Sequence, residues 1–401
     1  MISYDEAVTY IKKNSNSQLT EKLSLLAALG KISASDIVSN MAVPSFRNSA
    51  MDGFAVKAAD LVVAGMALHF TQAIAAGDVA ENNYGQCVQI MTGAPVPDIY
   101  DTVIPVEYTT ISKDKVTFNR PAKQHENIRN IGEDIEVGAA VLKIGDVISA
   151  EKIMLLAALG IAEIVVYKLP NIHIISTGKE IIDDTNTPLS DGKIYNSNAP
   201  YLLARCAQEG FVANYGGIIA DDATAFEKRI SQIPSGSVII TTGAVSKGAW
   251  DFIPESLNNL GAETLFHRVN IRPGKPVLFA RLPNGSWFFG LPGNPISAAI
   301  GFRFFVQPLM RYLQGLAPEK PIKAKLATNF TKKGNFCQFL KATITNNNSA
   351  EIIADISSGQ ESFKISPMAE ANAWVMLEET QMENKIGNIV AVFPFKNGNK
   401  L

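Results

Sequence analysis

Apolar residues Ala7, Val8, Tyr10 and Ile11 fall on one face of a helical period. Ser3 with Glu6 forms a capping box ahead of them, which predicts a helix over about residues 4–13. The string LLAALG occurs at Leu25–Gly30 and again at Leu155–Gly160, each time read as a helix end with Gly at the stop. Two readings stand: chance similarity of helix ends, or two matching helices of one domain that the intervening segment interrupts. That segment, about residues 46–137, turns to short alternating runs at Gln86–Met91, Asp101–Glu107 and Lys115–Asn119, and reads as a β-rich insert.

From Ile164 the pattern alternates between apolar strand and amphipathic helix. Ile172–Ser176 is a strand, followed by helices at about Ala199–Glu209 and Ala223–Ile233, the second started by Asp221-Asp222. Next come a strand at Val238–Thr241, a helix beyond Asp251 that Gly261 ends, a strand at Trp287–Phe289 and a long helix from Pro295 to about Leu313. Such succession predicts a parallel sheet with helices on both faces, closed by the linker GLAPEKP at Gly315–Pro321. The remainder returns to short strands at Ala324–Asn329, Gln338–Thr345, Glu351–Asp355 and Asn388–Phe393, the pattern of a small β-barrel or sandwich.

The expected architecture is therefore multidomain α/β plus β. A discontinuous domain of helical and extended segments takes residues 1–45 and 138–168, and the β-rich insert takes 46–137. A doubly wound parallel-sheet domain takes 169–314, and a C-terminal β-barrel takes 318–401.

Composition narrows the function. A chain of 401 residues exceeds a single core, and 47% hydrophobic with 18% charged residues is a globular composition. A net charge of -2 gives no general attraction to nucleic acid or acidic membrane, so neither is expected as a partner. No uncharged run reaches membrane-spanning length, and MISYDEAVTYIKK lacks the basic start and apolar core of a signal peptide. Cys87, Cys206 and Cys337 are widely separated, without CxxC or a neighbouring His, which reads as reduced thiols in a cytoplasmic protein. The four histidines show no ligand spacing.

The candidate chemistry gathers at strand ends. Three blocks, VIITTGAVSKGAWD, VNIRPGKPVLFA and WFFGLPGNPISAA, each run an apolar strand into a Gly/Pro turn. Asn294 reads as an N-cap and Pro295 as the first helical residue. Loops of this kind at the carboxyl ends of strands line a crevice with amides suited to an oxyanion. Glu180, Asp221, Asp222 and Asp251 also sit at or after strand ends, and carboxylates without His or Cys favour a hard ion such as Mg²⁺. One of Asp221 and Asp222 caps a helix; the sequence leaves open which. Arg272 and Lys275 in RPGKP supply cations on a stiff turn. The insert adds three polar clusters in turn-like settings: NSAMDG at Asn48–Gly53, MTGAP at Met91–Pro95 and NIRNIGED at Asn127–Asp134.

Together Ser49–Gly53, Met91–Pro95, Gly132–Asp134, Ser176–Glu180, Thr242–Gly248 with Asp251, Arg272–Pro276 and Leu291–Pro295 resemble the molybdopterin molybdotransferase family. That is the family of bacterial MoeA and of the C-terminal domain of gephyrin. The resemblance runs over essentially the whole chain, and the set in this order is specific although each motif is short. It implies an elongated homodimer of four-domain subunits with a sheet domain of MogA type. The reaction implied is insertion of molybdate into adenylylated molybdopterin, both substrates, with Mg²⁺-dependent release of AMP.

By the same resemblance Thr177, Glu180, Asp221, Asp251 and the loops at Gly243, Ser246, Pro292, Gly293 and Asn294 hold the pterin and its metal, with Glu180, Asp221 and Asp251 as metal ligands. Arg272, Lys275, Ser297 and Ser362 face molybdate. Asp52, Thr92, Arg129 and Asp134 complete the cleft from the other subunit, Asp52 and Asp134 counting with the three metal-side carboxylates as catalytic. Molybdopterin adenylyltransferase and molybdoenzyme-maturation proteins are the implied partners.

Three positions depart from the family pattern. Lys341 stands where an Arg near molybdate is usual, Ala244 where many relatives have a second Gly, and Lys179 where an acidic residue is usual; activity is expected to survive the last two. The competing readings are a catalytically silent, gephyrin-type scaffold and the adenylyltransferase of the same pathway, which is a lone sheet domain.

Overall fold

The computed structural model describes residues 1–15, 19–81, 84–245, 252–347 and 349–395. The chain forms two compact units: Lys22–Val166, and Met1–Glu21 together with Tyr167–Leu401.

In the unit Lys22–Val166 the strand Gly53–Val56 lies between Cys87–Ile90 and Thr102–Pro105, antiparallel to both. Its period of two feeds two cores. Phe54 and Val56 pack with Leu68, Val116 and Phe118, whereas Ala55 packs with Val88, Ile90 and Val103. Gly53 belongs here because of close approach: a Cβ would stand 2.0 Å from the Ile104 carbonyl oxygen and 2.8 Å from its carbon, and backbone inside a sheet cannot retreat. Gly53→Ala is expected to destabilise this unit by about 3 kcal/mol. Chemical denaturation checks this, and a midpoint equal to the parent's would contradict it.

The two LLAALG strings share a core but not a conformation. Leu25, Ala28, Leu156 and Leu159 lie in one hydrophobic cluster, and Gly30 and Gly160 both adopt positive φ. Only the second string ends a helix, Ala150–Ala158, whose N-cap Ser149 accepts from the Lys152 amide. The first follows directly on the strand Thr20–Ser24 as a run of turns. Six residues without a cap are too few to nucleate a helix.

In the other unit, helix α1 (Tyr4–Lys13) carries the predicted capping box and buries Ala7 and Ile11. The ring of Tyr4 meets Phe304, Phe305 and Phe339 edge-on, and Trp287 Nε1 donates to the Asn14 carbonyl at 2.7 Å. The helix thus belongs, with the residues up to Glu21, to the unit of Tyr167 onward, whereas the sequence reading groups it with all of residues 1–45.

There follow β1 (Ile172–Thr177), α2 (Asn198–Gln208), β2 (Ala213–Ile219), α3 (Ala223–Ser231), β3 (Val238–Thr242) and α4 (Ile253–Asn259). Next are β4 (Glu263–His267), β5 (Ile271–Arg272), β6 (Leu278–Arg281), β7 (Trp287–Leu291), α5 (Pro295–Gly301) and α6 (Gln307–Tyr312). One sheet runs β2-β1-β3-β7-β6-β4. Alternate residues serve opposite faces: Val238, Ile240, Trp287 and Phe289 enter one core, Ile239 and Phe288 the other. Both faces are covered, as continuous apolar strands require.

Two details differ from the pattern-based expectation. Strands β2, β1, β3 and β7 are parallel, but β6 and β4 are antiparallel, because a hairpin and not a helical crossover joins them. The helix predicted from Pro295 to Leu313 contains a π-helical stretch, Phe302–Val306, between α5 and α6. Pro308 lacks an N–H and crowds the carbonyl four residues back, which a wider turn relieves.

The last strands are β8 (Ile322–Leu326), β9 (Cys337–Asn346), β10 (Ile352–Ile356), β11 (Ala373–Leu377) and β12 (Ile389–Pro394). They run β9-β10-β8-β12-β11, and β11 pairs again with β9, closing a small barrel. Strand β11 is missing from the sequence reading: AWVML is packed on both sides and shows no alternation. Strand β5, from the β4–β6 hairpin, adds in parallel to β9, pairing Ile271 with Cys337 and Arg272 with Gln338. The three cysteines are buried and free, and burial pushes each thiol up to about 12. Among the described residues no helix is long and apolar enough to cross a membrane.

Candidate functional site

Strands β1, β3 and β7 end in register, Ser176 opposite Thr242 and Thr242 opposite Leu291, so the three loops that follow begin along one line. Contacts then knit them together. The Gly243 amide donates to the Leu291 carbonyl at 2.9 Å, and Thr177 Oγ1 donates to the Thr242 carbonyl at 3.1 Å. Gly243, at φ 100°, comes so near Thr177 that a Cβ would lie 2.5 Å from its carbonyl oxygen and 2.8 Å from Oγ1. A Cβ on Gly293 would lie 3.7 Å from the Gly243 Cα, and Asn198 Nδ2 holds the Gly293 carbonyl at 2.8 Å. Pro292 is buried, whereas Gly293 and Asn294 are exposed. The predicted convergence of loops therefore exists, and Thr177, Gly243, Pro292, Gly293 and Asn294 take part in it. Asn198 escapes the sequence reading, since an Asn at a helix start has no distinguishing signal.

Two carboxylates stand beside these loops. Thr177 of β1 pairs with Ile219 of β2, and Glu180 and Asp221 follow these adjacent strand ends, both exposed. Glu180 curls over Gly178, where a Cβ would meet both its carboxylate oxygens at 2.6 Å. The ambiguity at 221–222 resolves: Asp222 is the N-cap of α3, accepting from the Ala225 amide at 3.1 Å, which leaves Asp221 without that duty. Ser246 and Asp251 lie outside the described residues. Among those described, no three His, Cys, Asp or Glu side chains gather closely enough to hold a metal ion.

The cations lie on the β4–β6 hairpin. Because Leu278 pairs with Gly290, the start of β6 adjoins the carboxyl end of β7, and the hairpin reaches the same edge of the sheet as the loops. Gly274 packs against α5, its virtual Cβ 3.6 Å from the Ser297 carbonyl oxygen. Ser297 itself is buried and Lys275 exposed. Arg272 is exposed, with its guanidinium carbon 5.7 Å from the Phe336 ring centroid. It lines a cavity of about 520 Å³ together with Lys333, Phe336, Gln338 and Ser362. The segment carrying Ser362 is tied to α5, since the Ile296 amide donates to the Ser362 carbonyl at 3.1 Å.

Lys341 does something else than expected. It is fully buried, and its ammonium donates to the carbonyls of Gly359 (2.7 Å), Lys364 (3.1 Å) and Glu361 (3.4 Å). An ammonium has three donors, so all are committed to main chain and none faces a ligand. Burial pushes its pKa below the usual lysine value. Lys333, an exposed cation in the cavity wall, is the residue the sequence reading missed, one Lys among two in a row.

In the unit Lys22–Val166 the polar clusters of the insert come together. Ile128–Arg129 pairs with Asn48–Ser49, the Gly93 amide donates to the Ser49 carbonyl, and the Ser49 amide donates to the Ala94 carbonyl. The Thr92 amide donates to Asp52 Oδ1 at 2.7 Å, and this bond holds the Asp52 carboxyl below the usual carboxylate range. Asp52, Thr92, Arg129 and Asp134 are all exposed, and the Asp134 amide donates to the Val43 carbonyl.

Three family models match the chain in succession. Residues 2–160 match the MoeA N-terminal region (domain I and II), 173–312 the probable molybdopterin binding domain, and 323–395 the MoeA C-terminal region (domain IV). Relatives named molybdopterin molybdenumtransferase align nearly end to end. That of Haemophilus influenzae is 36% identical over 392 residues, covering 94% of both chains. That of Staphylococcus aureus is 34% identical, covering 98% of this chain and 95% of its own. Bacillus subtilis has one 32% identical, covering 99% and 95%. The crystal structure of a molybdopterin biosynthesis MoeA protein from Pyrococcus horikoshii superposes with a TM-score of 0.83 at 26% identity, covering 99% of this chain and 100% of that one.

Proposed function

The chain belongs to the MoeA family, whose curated relatives are molybdopterin molybdenumtransferases, and from that premise we propose that it inserts molybdate into adenylylated molybdopterin with Mg²⁺-dependent release of AMP. The observation that carries the reading is the meeting of two kinds of wall. Amide-lined loops at Gly243 and Gly293 stand on the sheet, and the segment bearing Ser362 is tied to α5 beside the Arg272 hairpin.

The loops at Thr177, Gly243 and Gly293-Asn294 hold the pterin and its phosphates, as backbone amides at strand ends suit them. Arg272, Lys275, Ser297 and Ser362 meet the tetrahedral dianion, for which cations and neutral donors are the matching chemistry. Exposed oxygen donors at Glu180 and Asp221, free of His and Cys, fit a hard divalent cation that keeps most of its waters; Asp251 is the third candidate. When bound, Mg²⁺ offsets phosphate charge at the bond to AMP. The working form is a cytoplasmic homodimer, to which a second copy contributes Asp52, Thr92, Arg129 and Asp134. Molybdopterin adenylyltransferase supplies its substrate and molybdoenzyme-maturation proteins receive its product.

The test is AMP release by folded, dimeric protein given adenylylated molybdopterin, molybdate and Mg²⁺; release no faster than without enzyme would refute the reading. Replacing Asp251 by Ala separates turnover from scaffolding, because a scaffold keeps cofactor production in cells. The adjacent aspartates give a second check. Asp222→Ala is expected to lower stability by about 1 kcal/mol, as lost N-caps do, with turnover nearly intact. Asp221→Asn is expected to leave the melting temperature unchanged and to raise the Mg²⁺ concentration needed for half-maximal rate. Reversed phenotypes would show that the roles are swapped.

A further inference from the structure

Two lysines of the barrel are almost wholly buried, Lys332 at 2% and Lys341 at 0% exposure, and neither has a carboxylate partner among the described residues. Each instead donates to three main-chain carbonyls. Lys341 holds Gly359, Glu361 and Lys364. Lys332 holds Phe336 (2.8 Å), Glu379 (2.7 Å) and Glu378.

Three of these carbonyls, on Phe336, Gly359 and Glu361, belong to residues that line the cavity with Arg272, and the others tie the same segments to their neighbours. The segment around Lys332 brings Phe330, Lys333 and Phe336 to one wall of the cavity, and the segment around Gly359–Lys364 brings Ser362 and Phe363 to the other. Gln360 reinforces the second clamp: its Oε1 accepts from the Lys341 amide at 2.9 Å, and its Nε2 donates to the carbonyls of Lys341 and Ser357, each at 2.8 Å. The same segment reaches α5 through the Ile296 amide.

A cavity of about 520 Å³ is of a size that holds whole organic ligands, far roomier than one tetrahedral oxyanion needs. Its affinity for such an ion therefore depends on where its walls stop. We propose that Lys332 and Lys341 are positioning residues that fix the separation of the two walls, and thereby the fit of Arg272, Lys333 and Ser362 around molybdate. A buried ammonium suits the task because it draws several carbonyls to one point, and moving either wall would strand a charge without its acceptors. The inference rests on the molybdate-insertion reading and adds the residues that tune its oxyanion pocket.

The experiment compares Lys341→Met, which keeps length and loses the donors, with Lys341→Arg, measuring molybdate-dependent AMP release. Lys341→Met is expected to raise the KM for molybdate about tenfold, the scale of one misplaced charge-assisted hydrogen bond, while the KM for adenylylated molybdopterin stays within about twofold. Lys341→Arg is expected to return most of the lost affinity. Should Lys341→Met fail to fold, Gln360→Ala loosens the same segment with the ammonium retained and is expected to show the same split. A folded variant with the parent's KM for molybdate, or with both KM values raised in proportion, would overturn the proposal. Absence of molybdate-dependent release by the unaltered protein would instead refute the underlying function.

Discussion

Gly243→Ala is expected to reduce turnover by about two orders of magnitude and to destabilise the protein by about 3–5 kcal/mol, combining backbone strain with overpacking. At φ 100° an L side chain is strained before any contact is considered. The added carbon would also lie 2.5 Å from the Thr177 carbonyl oxygen. Thr177 has no room to yield, being buried in a strand whose hydroxyl already donates to Thr242. Gly217 is the internal control. It has φ 84° but nothing within 4 Å of its virtual Cβ, so Gly217→Ala carries strain alone. It is expected to cost about 1–2 kcal/mol and to keep its turnover. Thermal melts and AMP release on the two variants decide the matter; equal losses would mean that close approach at Gly243 is immaterial.

Arg272→Ala is the second large effect, and it should act on binding alone. The guanidinium is exposed, lies over the face of Phe336, and pairs with no carboxylate among the described residues, so stability is expected to stay within about 0.5 kcal/mol. Two charge-assisted hydrogen bonds to an oxyanion are together worth about 3 kcal/mol or more, which corresponds to a rise of about 100-fold in the KM for molybdate. Arg272→Lys keeps the charge but loses the planar fork, and about a tenfold rise is expected. An unchanged KM for molybdate in Arg272→Ala would remove this residue from the oxyanion pocket.

What the sequence makes legible here follows range. Local signals hold up well: the capping box at Ser3, the Gly160 and Gly261 stops, and the apolar runs at Val238 and Trp287 each report on a few adjacent residues. The antiparallel edge of the sheet does not show, because Glu263–His267 and Leu278–Arg281 differ from parallel strands only in their connection. Lys341 is the instructive case. The family resemblance sets it where an Arg near molybdate is usual, and only the return of residues 359–364 over it shows three carbonyls taking its donors. The insert's clusters at Asp52, Thr92 and Arg129 stand out by composition, whereas their pairing through Ser49 depends on contacts between distant segments. At 221–222 the sequence narrows the choice to two, and the Ala225 amide makes it.

The seat of α1 bears on how the chain is made. Its anchoring partners, Phe304, Phe305, Phe339 and Trp287, are all synthesised long after Tyr4–Lys13, with the whole of Lys22–Val166 intervening. At about 5–20 residues per second that delay is on the order of tens of seconds, during which an amphipathic segment has no face to rest on. A nascent chain halted before α6 should therefore leave Tyr4 and Ile11 open to protease or chaperone, and a chain released after β9 should not.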